Sequence, residues 1–299
     1  MTVERIEIGN ASIAAAVDFA AEAQSAQLVI VRGADILVDQ AWQPEPVDVF
    51  AVQKGLVSLL CGMAEGQGLL RLDDPVSALL GAGWTSLAEA AEQRLTIAAV
   101  LNMTTGMDDE LAPLGEVGTS WRYNNVAYNY LKTALEAATG ATLSEITRDW
   151  LLDPLGMAST RWVDREVMRP DGRPITALES TAADLVRFGA MVLGGGQEHV
   201  TAEYVDTLAQ PGSEENPAWG RSWWNNGEHH HRLPRSESVN LPGPLIPEAP
   251  GDTILARGAL ENRLYIVPSL DLVIARTVTP SRSYEPVGFD RGFWSALLG

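Results

Sequence analysis

DVFAVQKGLVSLLCGMAEGQG, residues 48–68, is the most strongly patterned stretch of this chain. Val52, Leu56, Val57, Leu59, Leu60 and Met63 recur at three-and-four spacing, Asp48 stands where it can cap the start, and Gly66 and Gly68 supply a stop. The pattern predicts a largely buried helix of about four turns. On such a helix residues 51 and 54 lie one above the other, so Lys54 reaches towards the side chain at position 51. That side chain is alanine. A lysine on so apolar a helix needs either a route to water for its ammonium or a partner, because desolvating the charge is costly.

The rest of the chain can be placed around this helix. With 299 residues, 46% hydrophobic and 20% charged, it is long enough to bury a substantial core. Asp plus Glu outnumber Lys plus Arg by 39 to 21, a net charge of −18 that repels phosphate backbones and anionic lipid. Neither nucleic acid nor a membrane surface is therefore an expected partner. One cysteine, Cys61, sits inside the apolar helix, which excludes a disulfide framework and a cysteine metal cluster and suits a small core residue. The first residues carry early acids and no basic start before an apolar run, so a cytoplasmic location is expected. No stretch approaches the roughly 20 apolar residues of a membrane span.

Upstream, an alanine-rich helical stretch over 11–26 precedes two apolar runs, Leu28–Val31 and Ile36–Val38, that flank a turn at Gly33-Ala34-Asp35 and read as a hairpin. Downstream, a short helix begins at Thr96, a capping residue, and the turn Met103-Thr104-Thr105-Gly106-Met107 ends it. Further helical patterns run through 131–139 and 143–152, and another starts at Ser180 or Thr181. Residues 210–252 lose periodicity and hold Trp219, Trp223, Trp224 and the run His229-His230-His231, a long loop of the functional kind. Adjacent histidines in a loop seldom converge on one metal, so a solvated or substrate-facing loop is expected there. Trp219–Trp224 gives a strand signal, further strand patterns follow at 253–259, 262–267 and 271–278, and an apolar helix with Phe289, Phe293, Trp294 and Leu297 closes the chain. The expected fold is therefore α+β: a five-stranded antiparallel sheet built from both chain ends and flanked by helices, with a mainly helical region inserted between.

Three short motifs in order carry a resemblance. Ala51-Val52-Gln53-Lys54 has the lysine and spacing of S-x-x-K without the serine; Tyr123-Asn124-Asn125 matches Y-x-N; Ala256-Arg257-Gly258 stands where K-T-G or H-x-G is usual. Between them lie EGQGLLRLDDPV, LTIAAVLNMTTGM and DPLGMASTRWV. In this order the sequence resembles the serine hydrolases with the β-lactamase or penicillin-binding-protein fold, a broad group of esterases, amidases and 6-aminohexanoate-dimer hydrolases. The resemblance implies one catalytic domain over 1–299, with an α/β part near 1–50 and 215–299 and a helical part near 51–214. It implies position 51 as the place of the nucleophile, Lys54 and Tyr123 as the proton-handling pair, Asn125 orienting either Lys54 or the carbonyl side of the substrate, and the backbone N–H groups of Ala51 and Ala259 as the oxyanion hole. Arg257, Gly258, Trp223 and Trp224 are expected at the substrate, with only one of the two adjacent tryptophans able to face inward from a strand. For Arg257 a carboxylate on the substrate and a local salt bridge are both open.

The resemblance implies no cofactor and no metal, a small amide or ester as ligand, and leaves a homodimer open. Because Ala51 lacks the hydroxyl, the expected reading is a hydrolase inactivated at its nucleophile that still traps substrate. The rivals are a non-catalytic binding protein on the same scaffold and a metal-dependent hydrolase using His229–His231.

Overall fold

The computed structural model describes residues 8–279 and 288–299. Its strands, in chain order, are β1 (Ser25–Arg32), β2 (Asp35–Ala41), β3 (Val47–Asp48), β4 (Arg161–Met168), β5 (Pro174–Ser180), β6 (Trp219–Gly220), β7 (Trp223–Asn225), β8 (His230–His231), β9 (Leu241–Pro242), β10 (Ile254–Arg257), β11 (Arg263–Val267) and β12 (Leu272–Val278). Helices of ten residues or more are α1 (Asn10–Glu22), α2 (Gln53–Gly66), α3 (Asn125–Thr139), α4 (Ala182–Leu193) and α5 (Phe289–Leu298). The first helix stops at Glu22 and not at 26, because Ser25 already pairs with Val278 in the sheet.

The central sheet has the order β2-β1-β12-β11-β10-β7-β6, with every neighbouring pair antiparallel. β1 and β2 come from the start of the chain and β10 to β12 from its end, as the two-ended apolar pattern predicts. The expected five strands become seven because Leu255 pairs with Trp224 and Trp219 in turn with Trp224. The strand signal at Trp219–Trp224 falls on β6 and β7, whose two and three residues are too short to display the alternation that would place them in the sheet.

The inserted region is mainly helical, as expected, and it also contributes two strands, β4 and β5. With β3, which precedes the region, they form a second antiparallel sheet in the order β3-β5-β4. β4 is largely exposed and charged, RWVDREVM, so it carries little of the apolar pattern that marks a buried strand. α4, which falls in the same span, packs against β1, β11 and β12 of the central sheet. α1 and α5 pack against each other, with the rings of Phe19 and Phe289 5.7 Å apart.

α2 runs through the middle of the core, and twelve consecutive residues from Gln53 to Ala64 are buried. Asp48 does not cap α2 itself. Its Oδ1 accepts the Phe50 N–H at 2.7 Å and so shapes the 3-10 turn Phe50–Val52 that leads into the helix. Gly55 faces the Trp223 indole so closely that a Cβ there would meet the ring at 2.7 Å. Gly258, just beyond β10, touches the backbone just before position 51: a Cβ there would collide with the Val49 carbonyl oxygen. The absence of a side chain at 258 therefore sets the distance between the edge of β10 and the entry to α2.

Overpacking against backbone that cannot move away costs on the order of 1–3 kcal/mol. Gly258→Ala is expected to lower unfolding stability by about that amount, measured by urea denaturation. Gly115→Ala, where no atom lies within 4 Å of the place a methyl would take, should leave it unchanged.

Candidate active site

Position 51 lies on the 3-10 turn before α2, and the chain enters it in an unusual way. Phe50 has φ of 51°, in the left-handed region that costs a non-glycine residue roughly 1–2 kcal/mol. Two contacts hold it there: the Asp48 carboxylate takes its N–H, and the Arg165 guanidinium, ion-paired to the same carboxylate, lies 5.1 Å from its ring. One turn on, Lys54 is 3% exposed and donates from Nζ to Asn125 Oδ1 at 2.9 Å. Asn125 opens α3, whose N-cap is the neighbouring Asn124: its Oδ1 accepts the Ala127 N–H while its Nδ2 donates to the carbonyls of Met107 and Asp108. The two asparagines thus divide the work, one anchoring the helix and the other holding the lysine.

The Lys54 amine lies 5.1 Å from the centre of the Tyr123 ring and 3.7 Å from that of Tyr128. Burial, with the Arg165 charge adding to it, lowers the amine from 10.5 to about 7. It is therefore neutral in a large fraction of molecules near physiological pH, the state in which an amine accepts a proton. Tyr128 is shifted the other way: burial, then the neighbouring Tyr123 and Cys61, raise its phenol well above 10.0. It remains a neutral ring beneath the amine.

Ala51, Lys54, Tyr123, Asn125, Trp224, Arg257, Gly258 and Ala259 all line one cleft of about 770 Å³. Residues Leu233, Pro234, Arg235 and Glu237 of the long loop line it too, so that loop reaches the site. Asn226 secures the loop's return by donating to the carbonyls of Ile246, Ala249 and Pro250. Ala51 and Ala259 each belong to the opening of a short 3-10 turn, where N–H groups have no partner within the turn.

Trp223 departs from its expected place at the substrate. It is fully buried against Gly55 and stacks on Phe188, with centroids 6.0 Å apart, so it belongs to the core. Trp224, on the opposite face of β7, faces the cleft within a cluster formed with Trp121 and Trp219, the latter also lying edge-on to Tyr123. Gly258 lines the cleft and also has a structural reason to lack a side chain, since a Cβ there would collide with the Val49 carbonyl. Arg257 lines the cleft and also pairs with Asp290 at 3.3 Å, a carboxylate that Arg263 holds more closely at 2.7 and 2.9 Å. Burial alone would raise the Asp290 carboxyl, but Arg263 and Arg257 outweigh it and hold the group ionised far below the usual carboxylate range. Two buried hydroxyls near these elements are structural: Ser58 bonds the Tyr204 hydroxyl at 3.0 Å, and Ser180 bonds Thr160 at 2.8 Å while Thr181 caps α4. His231 turns Nδ1 to the Gly243 carbonyl at 3.1 Å, in the β8–β9 hairpin.

Sequence reading missed four contributors: Tyr128, Lys132, Arg165 and Thr176. Lys132 is buried and sets Nζ against Gln53 Oε1, Asn129 Oδ1 and both oxygens of Thr176, at 2.6–3.0 Å. Tyr128 and Lys132 follow Asn125 at three and seven residues on α3, so the face that carries Asn125 was the available clue.

A helix-borne lysine held by an asparagine, a tyrosine beside it, and a strand edge closing the cleft define the scaffold of an active-site serine hydrolase of the β-lactamase and penicillin-binding-protein type. A family model described as Beta-lactamase matches residues 12–238, and the chain belongs to that family. Solved structures show the same fold at low identity. A putative 6-aminohexanoate-dimer hydrolase from Bacillus anthracis is 14% identical with a TM-score of 0.70, over 94% of this chain and 79% of that one. A penicillin-binding protein homologue from Caulobacter crescentus is 14% identical with a TM-score of 0.69, over 97% and 99%. A family VIII carboxylesterase is 12% identical with a TM-score of 0.70, over 97% and 98%. A search of curated proteins returns no match. Among the described residues no helix is long and apolar enough to cross a membrane.

The lowered Lys54 value has a consequence for stability. The unfolded chain binds a proton near 10.5 and the folded chain near 7. Between these values the unfolded state holds more protons, so stability rises with pH across about 7 to 10.5, and the cost of the buried charge is fully present below 7. Relative to Lys54→Met, the parent chain is expected to gain roughly 3–5 kcal/mol over that window, measured by urea denaturation at a series of pH values.

Proposed function

We propose that this chain is a hydrolase-fold protein that binds a small ester or amide in its cleft and turns it over negligibly. The observation that carries the reading is the asymmetry of the site: the buried Lys54 is held by Asn125 beside Tyr123, and only a methyl group stands at position 51. The names of two structural neighbours, a 6-aminohexanoate-dimer hydrolase and a carboxylesterase, cover amide and ester chemistry respectively.

With a hydroxyl at 51 the chemistry follows. The neutral amine, with the Tyr123 phenol, takes the hydroxyl proton as oxygen attacks the carbonyl carbon, the backbone N–H groups of residues 51 and 259 receive the oxyanion, and water releases the acyl group. With alanine no acyl-enzyme forms. A water in the space of the hydroxyl lacks the fixed position of a side chain, and positioning carries much of the rate.

Ala51→Ser is expected to be acylated by a fluorophosphonate probe, seen by intact mass, and to hydrolyse at least one of a panel of esters, linear amides and D-amino-acid amides. The alanine chain should stay unlabelled and at least roughly a thousandfold slower. No label on folded Ala51→Ser, or equal activity of the two chains, overturns the assignment of position 51. Folded but unlabelled protein would favour the non-catalytic binding reading, which the pairing of Arg257 with Asp290 supports by giving the third motif's cation a structural task.

The same pairing bears on ligand choice. Arg257 shares one carboxylate with Arg263, so the two arginines together keep a positive charge in excess at the cleft wall. In the serine-restored chain, Arg257→Ala is expected to lower kcat/KM for substrates with a free acid by about tenfold relative to neutral ones, the worth of a charge-assisted hydrogen bond. An unchanged ratio between the two substrate sets removes the carboxylate role.

A further inference from the structure

The chain contains two lysines, Lys54 and Lys132, against nineteen arginines. Both lysines are buried, and they lie on the same ring: their Nζ atoms are 3.7 and 5.3 Å from the centre of Tyr128. Arginine stays charged in any protein setting, whereas lysine loses its proton readily when desolvated. This chain thus places its only side-chain amines beneath one cleft.

The two are not equivalent. Lys132 faces four oxygen atoms at 2.6–3.0 Å, more than enough to receive the three protons of an ammonium, and it does not line the cleft. Lys54 has one acceptor, Asn125 Oδ1, and does line it. Burial, and after it the Lys54 charge, lower the Lys132 amine as well, but four oxygen acceptors against one favour Lys132 as the holder where the pair shares one proton. Lys54 is then a free amine with a cationic neighbour, in a cleft where position 51 offers no hydroxyl to engage it. A desolvated amine beside another cation is the arrangement that makes lysine a nucleophile towards carbonyl carbon.

We propose that the Lys54 amine is itself the covalent ligand-binding group of this chain, condensing with small oxo acids to form an imine. The nitrogen lone pair attacks the carbonyl carbon, and the carbonyl oxygen takes up a proton to give a carbinolamine. Loss of that oxygen as water, with the second N–H proton, leaves the C=N bond, so amine plus carbonyl yields imine plus water with no oxidant or reductant.

The acid group of the ligand is indicated by the walls. Arg122, Arg165, Arg235, Arg257 and Arg263 line the cleft against two lining acids, Asp109 and Glu237, in a protein of net charge −18. Arg165 is paired with Asp48, and Arg257 and Arg263 share the one carboxylate of Asp290, so all three have a carboxylate partner. Arg122, next to Tyr123, makes no side-chain hydrogen bond or ion pair among the described residues, and its Nε is buried without a partner. A guanidinium in that state matches a carboxylate, which it can grip with two bonds.

This inference uses the alanine chain as it stands and is independent of whether Ala51→Ser is active. The native protein is incubated with pyruvate, or with acetaldehyde as the neutral control, and sodium cyanoborohydride, then examined by intact mass and peptide mapping. Pyruvate is expected to add once, on Lys54, at least tenfold faster than on the α-amine. Lys54→Met should abolish that adduct, and Arg122→Gln should slow pyruvate trapping about tenfold while changing acetaldehyde trapping less than twofold. Should Lys54→Met not fold, urea-unfolded parent serves instead: loss of the preference for Lys54 on unfolding supports the proposal. Adducts confined to the α-amine or Lys132, or labelling of Lys54 no faster in the native than in the unfolded chain, overturn it. Equal loss of both carbonyl compounds in Arg122→Gln overturns the oxo-acid assignment.

Discussion

Removing the Lys54 ammonium from water is the constraint around which the rest of the structure is arranged. An uncompensated buried charge costs several kcal/mol, and the chain answers by letting the amine approach neutrality and by supplying one oxygen and two aromatic rings. The oxygen comes from α3, so the start of α3 must sit against the start of α2. That in turn requires Asn124 to cap α3 and to be tied to the Met107–Asp108 turn. The lysine thus links the first and second motifs mechanically as well as chemically.

The other wall of the cleft is fixed by backbone contact. Gly258 allows β10 to approach the Val49 carbonyl, and this brings Ala259 to the same cleft as Ala51. Asp290 of α5 then organises the arginines at the strand edge: it accepts from Arg263, Arg257 and Tyr265 together. An arginine in this third motif is therefore shared between the cleft and the fold, whereas a lysine, with one charged centre, would have to choose. Phe50, held in a left-handed conformation by Asp48 and Arg165, completes the entry to position 51. Such a conformation persists only where its surroundings over-determine it, and here a hydrogen bond, an ion pair and a ring contact all converge.

Two outcomes of side-chain placement could not be read from spacing. Adjacent tryptophans on a short strand must face opposite ways, but which one meets the cleft depends on Gly55 opposite Trp223 and on the aromatic cluster around Trp224. Lys132 carries no sequence mark of its own. Its burial is explained by Gln53 and Thr176, residues 79 and 44 positions away that meet only through packing of α2, α3 and β5.

The sequence by itself determined the outline: apolar period three to four over 52–63 for the buried helix, alternating apolar runs at both ends for a two-ended sheet, and the ordered motifs at 51–54, 123–125 and 256–258 for the family. These features are local, because period and capping act within a few residues. Only the tertiary structure decided the two extra sheet strands, the small sheet of β3, β5 and β4, the sharing of Asp290 between two arginines, and the pairing of both lysines around Tyr128. Each of these depends on which distant surfaces meet, and on the desolvation that follows when they do. That is why most of the candidates named from the sequence meet at the cleft, while the charge state of the amine at its centre was set by the fold.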